Sequence, residues 1–245
     1  MTSPLPKLAL VTGGTRGIGA AISTALKAAG YDVAANYATN HKAAHAFEKQ
    51  TGVAVFPWDV CSFPETEAGI AKIEEKFGRP VDILVNNAGI TRDGAFHKMT
   101  EKDWDAVLDT NLRSCFNLCR VIFPKMRDKG FGRIVNVSSV NGQAGQFGQV
   151  NYAAAKAGML GFTRALALEG AKKNVTVNAV APGYINTEMV GAIDPAVLKG
   201  IVDKIPVGRL GEVNEIARTI LFLIADEAGF ITGATFNING GQHRI

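Results

Sequence analysis

The feature that most constrains the fold is an alternation of short apolar segments with helix-forming segments along the whole chain. The short segments are almost continuously apolar, as strands buried on both faces of a parallel sheet are. They occupy residues 7–12, 31–37, 53–56, 81–85, 132–138, 175–181 and 235–238. This alternation predicts an α/β protein with a doubly wound sheet, about seven parallel strands and helices on both faces.

Composition adds few constraints. The 245 residues are 47% apolar and 20% charged, which suits one well-filled α/β domain. The formal charge of +4 comes from scattered residues, so it favours a solvated surface over nucleic-acid binding and would also suit an anionic substrate. Cys61, Cys115 and Cys119 indicate buried thiols rather than a metal site or paired disulfides. Without a signal-like segment or a bilayer-length apolar run, we expect a cytoplasmic protein with no membrane contact.

A glycine-rich segment follows the first predicted strand and precedes a predicted helix. Its spacing is Gly-x3-Gly-x-Gly, in the context that a dinucleotide-binding loop requires. Glycines allow a tight turn and let the backbone approach a pyrophosphate, which then meets the helix N-terminus. An ordinary glycine turn is the alternative. The residues expected to bind the cofactor here are Gly13, Thr15, Arg16, Gly17, Ile18 and Gly19.

The end of the second strand indicates which dinucleotide binds. A site for NAD usually has an acidic residue there for the ribose 2′-hydroxyl, whereas this chain has Asn36. With Arg16 in the glycine loop, this favours the 2′-phosphate of NADP; the alternative is that Arg16 is a solvated residue at the helix start. Asp59 and Val60 follow the third strand, where Asp59 could hold the adenine amino group or could be a turn or N-cap aspartate.

Other polar or glycine-containing motifs also fall at predicted strand ends. Asn87, Ala88 and Gly89 would pack beside adenosine, although Asn and Gly also suit a simple turn. Pro182, Gly183 and Ile185 end the sixth strand and extend the expected cofactor site. The carboxyl ends of parallel strands meet at one edge of a sheet, so these motifs predict a Rossmann-type crevice there. We expect one domain over residues 1–245, with a cofactor half over about 1–130 and a catalytic and substrate half over 131–245.

Three reactive side chains converge in the second half. Tyr152 and Lys156 are four residues apart and share one helix face, and Ser139 follows the fifth strand, before a Gly- and Gln-rich loop. An ammonium about 4 Å from the phenol, at an effective dielectric constant of about 20, contributes up to roughly 4 kcal/mol, or about three pKa units. The pKa of Tyr152 is therefore expected near 7. Asn111 interrupts another helix, where its side chain could bend the helix, hold a water molecule or be a tolerated polar residue.

Together these motifs resemble the short-chain dehydrogenase/reductases over essentially the whole chain. The resemblance implies a catalytic tetrad of Asn111, Ser139, Tyr152 and Lys156, because Ser139, and not Ser138, has the family's spacing to the tyrosine. It implies that hydride moves between a nicotinamide and a carbonyl carbon while Tyr152 supplies the proton. In that scheme Lys156 also holds the nicotinamide ribose, Ser139 bonds the substrate oxygen, and Asn111 fixes a water molecule.

Within the family, residues 87–93 and 138–149 look most like those of the NADPH-dependent acetoacetyl-CoA reductases of polyhydroxybutyrate synthesis. This implies reduction of a short-chain 3-oxoacyl-CoA to the (R)-3-hydroxyacyl-CoA by a homotetramer. The implied acyl-CoA site consists of Asp93, Ser139, Gln146, Phe147, Gln149 and Tyr184. The alternative is a 3-oxoacyl-[acyl-carrier-protein] reductase, which would bind an acyl carrier protein. A non-catalytic NADP-binding regulator is a further alternative, although the tyrosine and lysine are both present.

Overall fold

The computed structural model describes residues 5–191 and 194–244. It contains a seven-stranded, wholly parallel sheet with the strand order β3-β2-β1-β4-β5-β6-β7. The strands are β1 (Leu8–Val11), β2 (Asp32–Tyr37), β3 (Ala54–Pro57), β4 (Ile83–Asn86), β5 (Gly132–Val137), β6 (Val175–Pro182) and β7 (Thr235–Ile238). The predicted fold class, with seven parallel strands, is confirmed.

Helices connect the strands. They are α1 (Gly17–Ala28), α2 (His41–Thr51), α3 (Phe63–Phe77), α4 (Glu101–Leu108), α5 (Ser114–Lys129), α6 (Asn141–Ala144), α7 (Val150–Gly170), α8 (Glu188–Gly191), α9 (Pro195–Val202) and α10 (Val213–Ile224). Several begin where a polar side chain caps free backbone N–H groups: Asn40 accepts from Ala43, and Thr100 from Asp103. The short helix α6 lies where the sequence indicated only a Gly- and Gln-rich loop.

Both faces of the sheet are covered by helices, as alternate residues of β1 show. Leu8 and Leu10 pack into one apolar core with side chains of α3, α5 and α7. Ala9 and Val11 point to the opposite face, into a second core formed with α1 and α10. Burial on both faces explains why the strands are almost continuously apolar.

The strand order reverses between β1 and β4, which are neighbours in the sheet. β1 leads through α1 to β2 on one side, while β4 leads through α4 and α5 to β5 on the other. The connections therefore diverge and leave a crevice at the carboxyl ends of the central strands. This edge is where the polar motifs of the sequence meet.

No helix in the described ranges is long and apolar enough to cross a membrane. Residues 1–4, on which the expectation of no signal peptide partly depends, and residue 245 lie outside the described residues.

Candidate active site

A cleft of about 290 Å³ lies at the carboxyl ends of β1, β4, β5 and β6. Most of the predicted site residues line it: Gly13, Arg16, Gly17, Ile18, Gly19, Asn87, Ala88, Gly89, Ser139, Gln149, Tyr152, Lys156, Pro182, Gly183, Tyr184 and Ile185. Other lining residues were not predicted, among them Thr91, Asn141, Thr187, Glu188 and Val190. Residues of the predicted cofactor loop thus share one cleft with Ser139, Tyr152 and Lys156, whereas the fourth predicted catalytic residue, Asn111, is buried and does not line it.

The glycines of the loop lie where the backbone conformation or a close backbone contact excludes a side chain. Gly13 and Gly17 have φ values of 58° and 51°, in the left-handed region that favours glycine. A Cβ on Gly19 would lie 2.1 Å from the Gly13 carbonyl oxygen. Asn87 fastens the loop to the end of β4, since its Nδ2 donates to the carbonyls of Thr12 (2.9 Å) and Gly13 (3.2 Å). At these glycines the loop therefore presents backbone to the cleft.

The first turn of α1 faces the same space. No side chain caps this turn, and it contains no acidic residue. Its backbone N–H groups and the helix dipole make the N-terminus of α1 a favourable position for an anion. The glycine loop and α1 together fit the pyrophosphate of a dinucleotide.

Arg16 precedes α1 and its side chain is exposed at the cleft. In the part of the chain that the structure describes, no carboxylate pairs with its guanidinium. An unpaired cation at this position suits a phosphate group. The role of Arg16 toward the 2′-phosphate stays a prediction.

Four predicted cofactor residues do not line the cleft: Thr15, Asn36, Asp59 and Val60. The Asn36 side chain is buried, where it accepts from the Gly13 N–H (3.5 Å) and donates to the Trp58 carbonyl (3.0 Å), so it supports the glycine loop from behind. Asp59 is exposed and accepts from the Cys61 N–H at 2.9 Å, as a turn aspartate does. Contact of these residues with adenosine stays a prediction.

Lys156 is only 3% exposed. Its Nζ donates to the Val137 carbonyl at 2.7 Å and lies 5.6 Å from the centre of the Tyr152 ring. Burial lowers the pKa of the Lys156 ammonium from 10.5 to about 8. The lysine is therefore charged at neutral pH but close to losing its proton under mildly alkaline conditions.

The pKa of Tyr152 is raised above its ordinary value of 10, so the expectation of a pKa near 7 is wrong. Burial is the largest cause, because it disfavours the phenolate. A hydrogen bond with Ser139 acts in the opposite direction, while the charge of Asp93 raises the pKa further. Tyr152 therefore holds its proton and can serve as an acid.

The two adjacent serines have different partners. Ser138 is 3% exposed, and its hydroxyl donates to the Lys156 backbone carbonyl at 2.9 Å. Ser139 lines the cleft, and its Oγ accepts from the Asn141 N–H at 3.1 Å. The Ser139 hydroxyl is thus held between the Asn141 N–H and its hydrogen bond with Tyr152, at the wall of the cleft. The arrangement agrees with the preference for Ser139.

Asn111 is fully buried at a π-helical turn, Asp109–Arg113, between α4 and α5. Its Nδ2 donates to the carbonyls of Val107 and Ile90, both at 2.9 Å. The Asn111 side chain thus bonds the Val107 carbonyl, which lies one turn earlier in the helix and would accept a backbone N–H in a regular α-helix. This favours the interpretation that Asn111 distorts its helix.

The side-chain oxygen of Asn111 and the Lys156 Nζ both lie close to Gly89. The Asn111 Oδ1 is buried with no hydrogen-bond partner among the described residues. A Cβ on Gly89 would lie 2.5 Å from this oxygen and 3.6 Å from the Lys156 Nζ. A side chain at position 89 would therefore displace Asn111. A buried acceptor with no partner among the described residues fits the predicted role of holding a water molecule.

The predicted substrate residues divide into two groups. Gln149 and Tyr184 line the cleft, and Asp93 is hydrogen-bonded to Gln149 at 2.8 Å. Gln146 and Phe147 are exposed, Phe147 by 89%, because a turn closed by the Gln149 N–H and the Gln146 carbonyl (3.1 Å) projects them from the surface. The structure does not bring those two residues to the cleft, and their contact with an acyl group stays a prediction.

The cysteines are free thiols, with Cys115 and Cys119 buried. Burial raises the pKa of Cys115 to about 11, so its thiol is a poor nucleophile. Within the described residues, no group of three or more His, Cys, Asp or Glu side chains could hold a metal ion.

Comparison with known proteins agrees with this site. A family model described as "Enoyl-(Acyl carrier protein) reductase" matches residues 13–243. With the glycine loop, the Ser139–Tyr152–Lys156 group and this match, the chain belongs to the short-chain dehydrogenase/reductase family of oxidoreductases.

Individual relatives are similar over nearly their whole length. The acetoacetyl-CoA reductase of Shinella zoogloeoides is 62% identical, over 97% of this chain and 99% of the relative. The acetoacetyl-CoA reductase of Cupriavidus necator is 50% identical, over 97% and 98%. The 3-oxoacyl-[acyl-carrier-protein] reductase of Escherichia coli is 44% identical, over 98% of both chains.

Proposed function

We propose that this chain is an NADPH-dependent acetoacetyl-CoA reductase that forms the (R)-3-hydroxyacyl-CoA, as in polyhydroxybutyrate synthesis. The observation that carries the proposal is the placement of a protonated Tyr152 beside Ser139 and Lys156 in the cleft that contains the glycine loop. The substrate follows from the similarity to acetoacetyl-CoA reductases, which exceeds the similarity to the carrier-protein reductase.

The side chains of the cleft divide the proton chemistry of carbonyl reduction among them. A bound nicotinamide supplies the hydride to the carbonyl carbon. Tyr152 donates its proton to the carbonyl oxygen as negative charge develops there, and Ser139 donates a hydrogen bond to the same oxygen. The positive charge of Lys156 stabilises the phenolate that remains, after which Tyr152 is reprotonated from solvent.

NADPH is proposed over NADH because of the charges near α1. Arg16 is exposed at the cleft, and β2 ends in Asn36 and Tyr37 rather than in a carboxylate. A 2′-phosphate bound there would meet the Arg16 cation and no carboxylate at the end of β2.

We also propose that the protein is a cytoplasmic homotetramer and one domain. Phe116 on α5 and Leu168 on α7 are 53% and 82% exposed, and Phe222 on α10 is 55% exposed. Because α5 and α7 cover one face of the sheet and α10 the other, two separate apolar surfaces could each pair with a second copy. Light scattering that finds only monomers would contradict the assembly.

The proposed cytoplasmic location is supported by the free thiols, which suit a reducing compartment.

The test of the function compares two substrates. With NADPH, we expect kcat/KM for acetoacetyl-CoA to exceed that for acetoacetyl-[acyl-carrier-protein] at least about tenfold, a difference of about 1.4 kcal/mol. The reverse preference would make the chain a 3-oxoacyl-[acyl-carrier-protein] reductase. Cofactor binding without turnover of any 3-oxoacyl thioester would instead indicate a non-catalytic NADP-binding regulator.

A further inference from the structure

A continuous series of hydrogen bonds joins three segments around the cleft. The Asn141 backbone N–H donates to the Ser139 Oγ at 3.1 Å, and the Asn141 Nδ2 donates to the Gln149 Oε1 at 2.9 Å. The Gln149 Nε2 then donates to the Asp93 Oδ2 at 2.8 Å. The series thus connects the end of β5, the start of α7 and the segment after β4.

Gln149 is the central link of this series. Asp93, as a carboxylate, can only accept hydrogen bonds, and Asn141 offers an amide N–H from the other side. The residue between them must therefore accept on one side and donate on the other, as an amide does. The opposite orientation of the Gln149 amide would place its oxygen against the Asp93 carboxylate, which electrostatics disfavours.

We propose that Gln149 is a positioning residue of the reduction, which fixes the Ser139 hydroxyl and the Asp93 carboxylate relative to Tyr152. This inference rests on the proposed function, and it gives Gln149 a different role from that of a substrate ligand. Gln149 acts through its two neighbours: Asn141 sets the direction of the Ser139 hydroxyl, and Asp93 sets the charge near the phenol.

The consequence at Ser139 is directional. Because the Asn141 N–H occupies one lone pair of the Ser139 Oγ, the hydroxyl hydrogen is directed away from Asn141, to the side where Ser139 is hydrogen-bonded with Tyr152. A hydroxyl held in this way can donate to the substrate oxygen without reorganising.

The consequence at Tyr152 is electrostatic. The Asp93 charge raises the pKa of Tyr152 in addition to burial, so a fixed Asp93 helps to keep the phenol protonated. The other ionisable groups around this space, among the described residues, are Lys156 on the same helix, Cys115, which interacts electrostatically with Lys156, and Arg16, Tyr184 and Glu188 in the lining of the cleft. The hydrogen bonds of the Gln149 amide go to Asn141 and Asp93 and to none of these five.

The test exchanges the amide of Gln149 and the carboxylate of Asp93 between the two positions. Gln149→Glu places two carboxylates together and should lower kcat at least about tenfold through misplacement of Ser139 and Asp93, with the Kd for NADPH changed less than about twofold. Asp93→Asn alone retains a hydrogen bond to Gln149. In the double variant that combines the two substitutions, the introduced asparagine and Asn141 both donate to the introduced glutamate. Its kcat should therefore return to within about threefold of that of Asp93→Asn.

Two results would overturn the inference: a double variant no more active than Gln149→Glu, or a Gln149→Glu enzyme in which only KM changes. If the wild-type enzyme does not reduce acetoacetyl-CoA, the proposed function fails, and a substrate-free measurement decides the inference. The tyrosinate titration of Tyr152, taken as the difference from Tyr152→Phe, should shift to lower pH in both Asp93→Asn and Gln149→Leu. An unchanged midpoint in Gln149→Leu, with an unchanged Tm, would contradict the positioning role.

Discussion

The Nζ of Lys156 lies 5.6 Å from the centre of the Tyr152 ring and donates its hydrogen bond to the Val137 carbonyl. In the proposed mechanism the lysine acts on the tyrosine through its charge, from a position one helical turn away. Both groups are affected by burial, which lowers the pKa of the ammonium and raises that of the phenol. The resting site thus combines a protonated acid with a cation that titrates near pH 8.

The first prediction concerns the pH dependence of activity. The pKa of Lys156 is about 8, so the charge that stabilises the phenolate is present below this pH and lost above it. We expect kcat/KM for reduction to fall about tenfold per pH unit above roughly pH 8. In Lys156→Arg the guanidinium stays charged, so this alkaline decline should move to higher pH even if kcat is lower. A decline at the same pH in both enzymes would contradict the assignment to Lys156.

The second prediction concerns stability. The pKa of Lys156 is lowered on folding, so between about 8 and 10.5 the unfolded chain binds more protons than the folded one, and stability rises with pH in that window. Lys156→Met lacks this effect. The unfolding free energy of the wild type relative to Lys156→Met should therefore increase by about 2 kcal/mol from about pH 7.5 to pH 9.5. Urea unfolding at both pH values measures it, and a constant difference would contradict the lowered pKa.

The third prediction concerns the contact of Gly89 with Asn111. A Cβ at position 89 would lie 2.5 Å from the Asn111 Oδ1, so Gly89→Ala must displace the asparagine or the backbone. We expect kcat to fall at least about tenfold, since small displacements of catalytic groups are costly. Gly94→Ala is the matched control in the same segment, because nothing lies within 4 Å of its added Cβ. Equal kcat values for the two variants would remove Asn111 from the account.

The fourth prediction concerns the cofactor. Arg16→Ala should lower kcat/KM for NADPH about tenfold, the effect of losing one exposed phosphate contact, and leave kcat/KM for NADH almost unchanged. Steady-state kinetics with both cofactors measures the two values. Equal losses with NADPH and NADH would mean that Arg16 supports the loop and does not recognise the 2′-phosphate.

The arrangement of the strands could be predicted from the sequence because both faces of the sheet are buried. Leu8 to Val11, for example, are all fully buried, and the sequence shows this burial as four consecutive apolar residues. The glycine loop was recognisable for a similar reason, since the space at Gly19 admits no side chain. Strand burial and tight glycine turns each constrain consecutive residues, so each produces a recognisable pattern in the sequence.

Features that depend on tertiary approach were missed. The π-helical turn at Asp109–Arg113 does not disturb the apolar periodicity of the surrounding helix, so the pattern of apolar residues could not reveal it. The one indication in the sequence was Asn111, an unusual residue inside a helix. Asn141, a polar residue two positions after Ser139, was a usable signal, but its bond to Gln149 depends on how the two segments meet. The predicted direction of the pKa shift of Tyr152 was wrong because the sequence shows the nearby lysine but does not show how deeply the phenol is buried.

The central claim is that Tyr152 supplies the proton in NADPH-dependent reduction of acetoacetyl-CoA. The most direct measurement follows NADPH oxidation with acetoacetyl-CoA for the wild type and Tyr152→Phe, with the NADPH Kd measured for both. We predict formation of the (R)-3-hydroxyacyl-CoA by the wild type. In Tyr152→Phe, kcat should fall by about 10²–10⁴-fold, with NADPH binding nearly unchanged. A Tyr152→Phe enzyme that retains wild-type kcat would contradict the account.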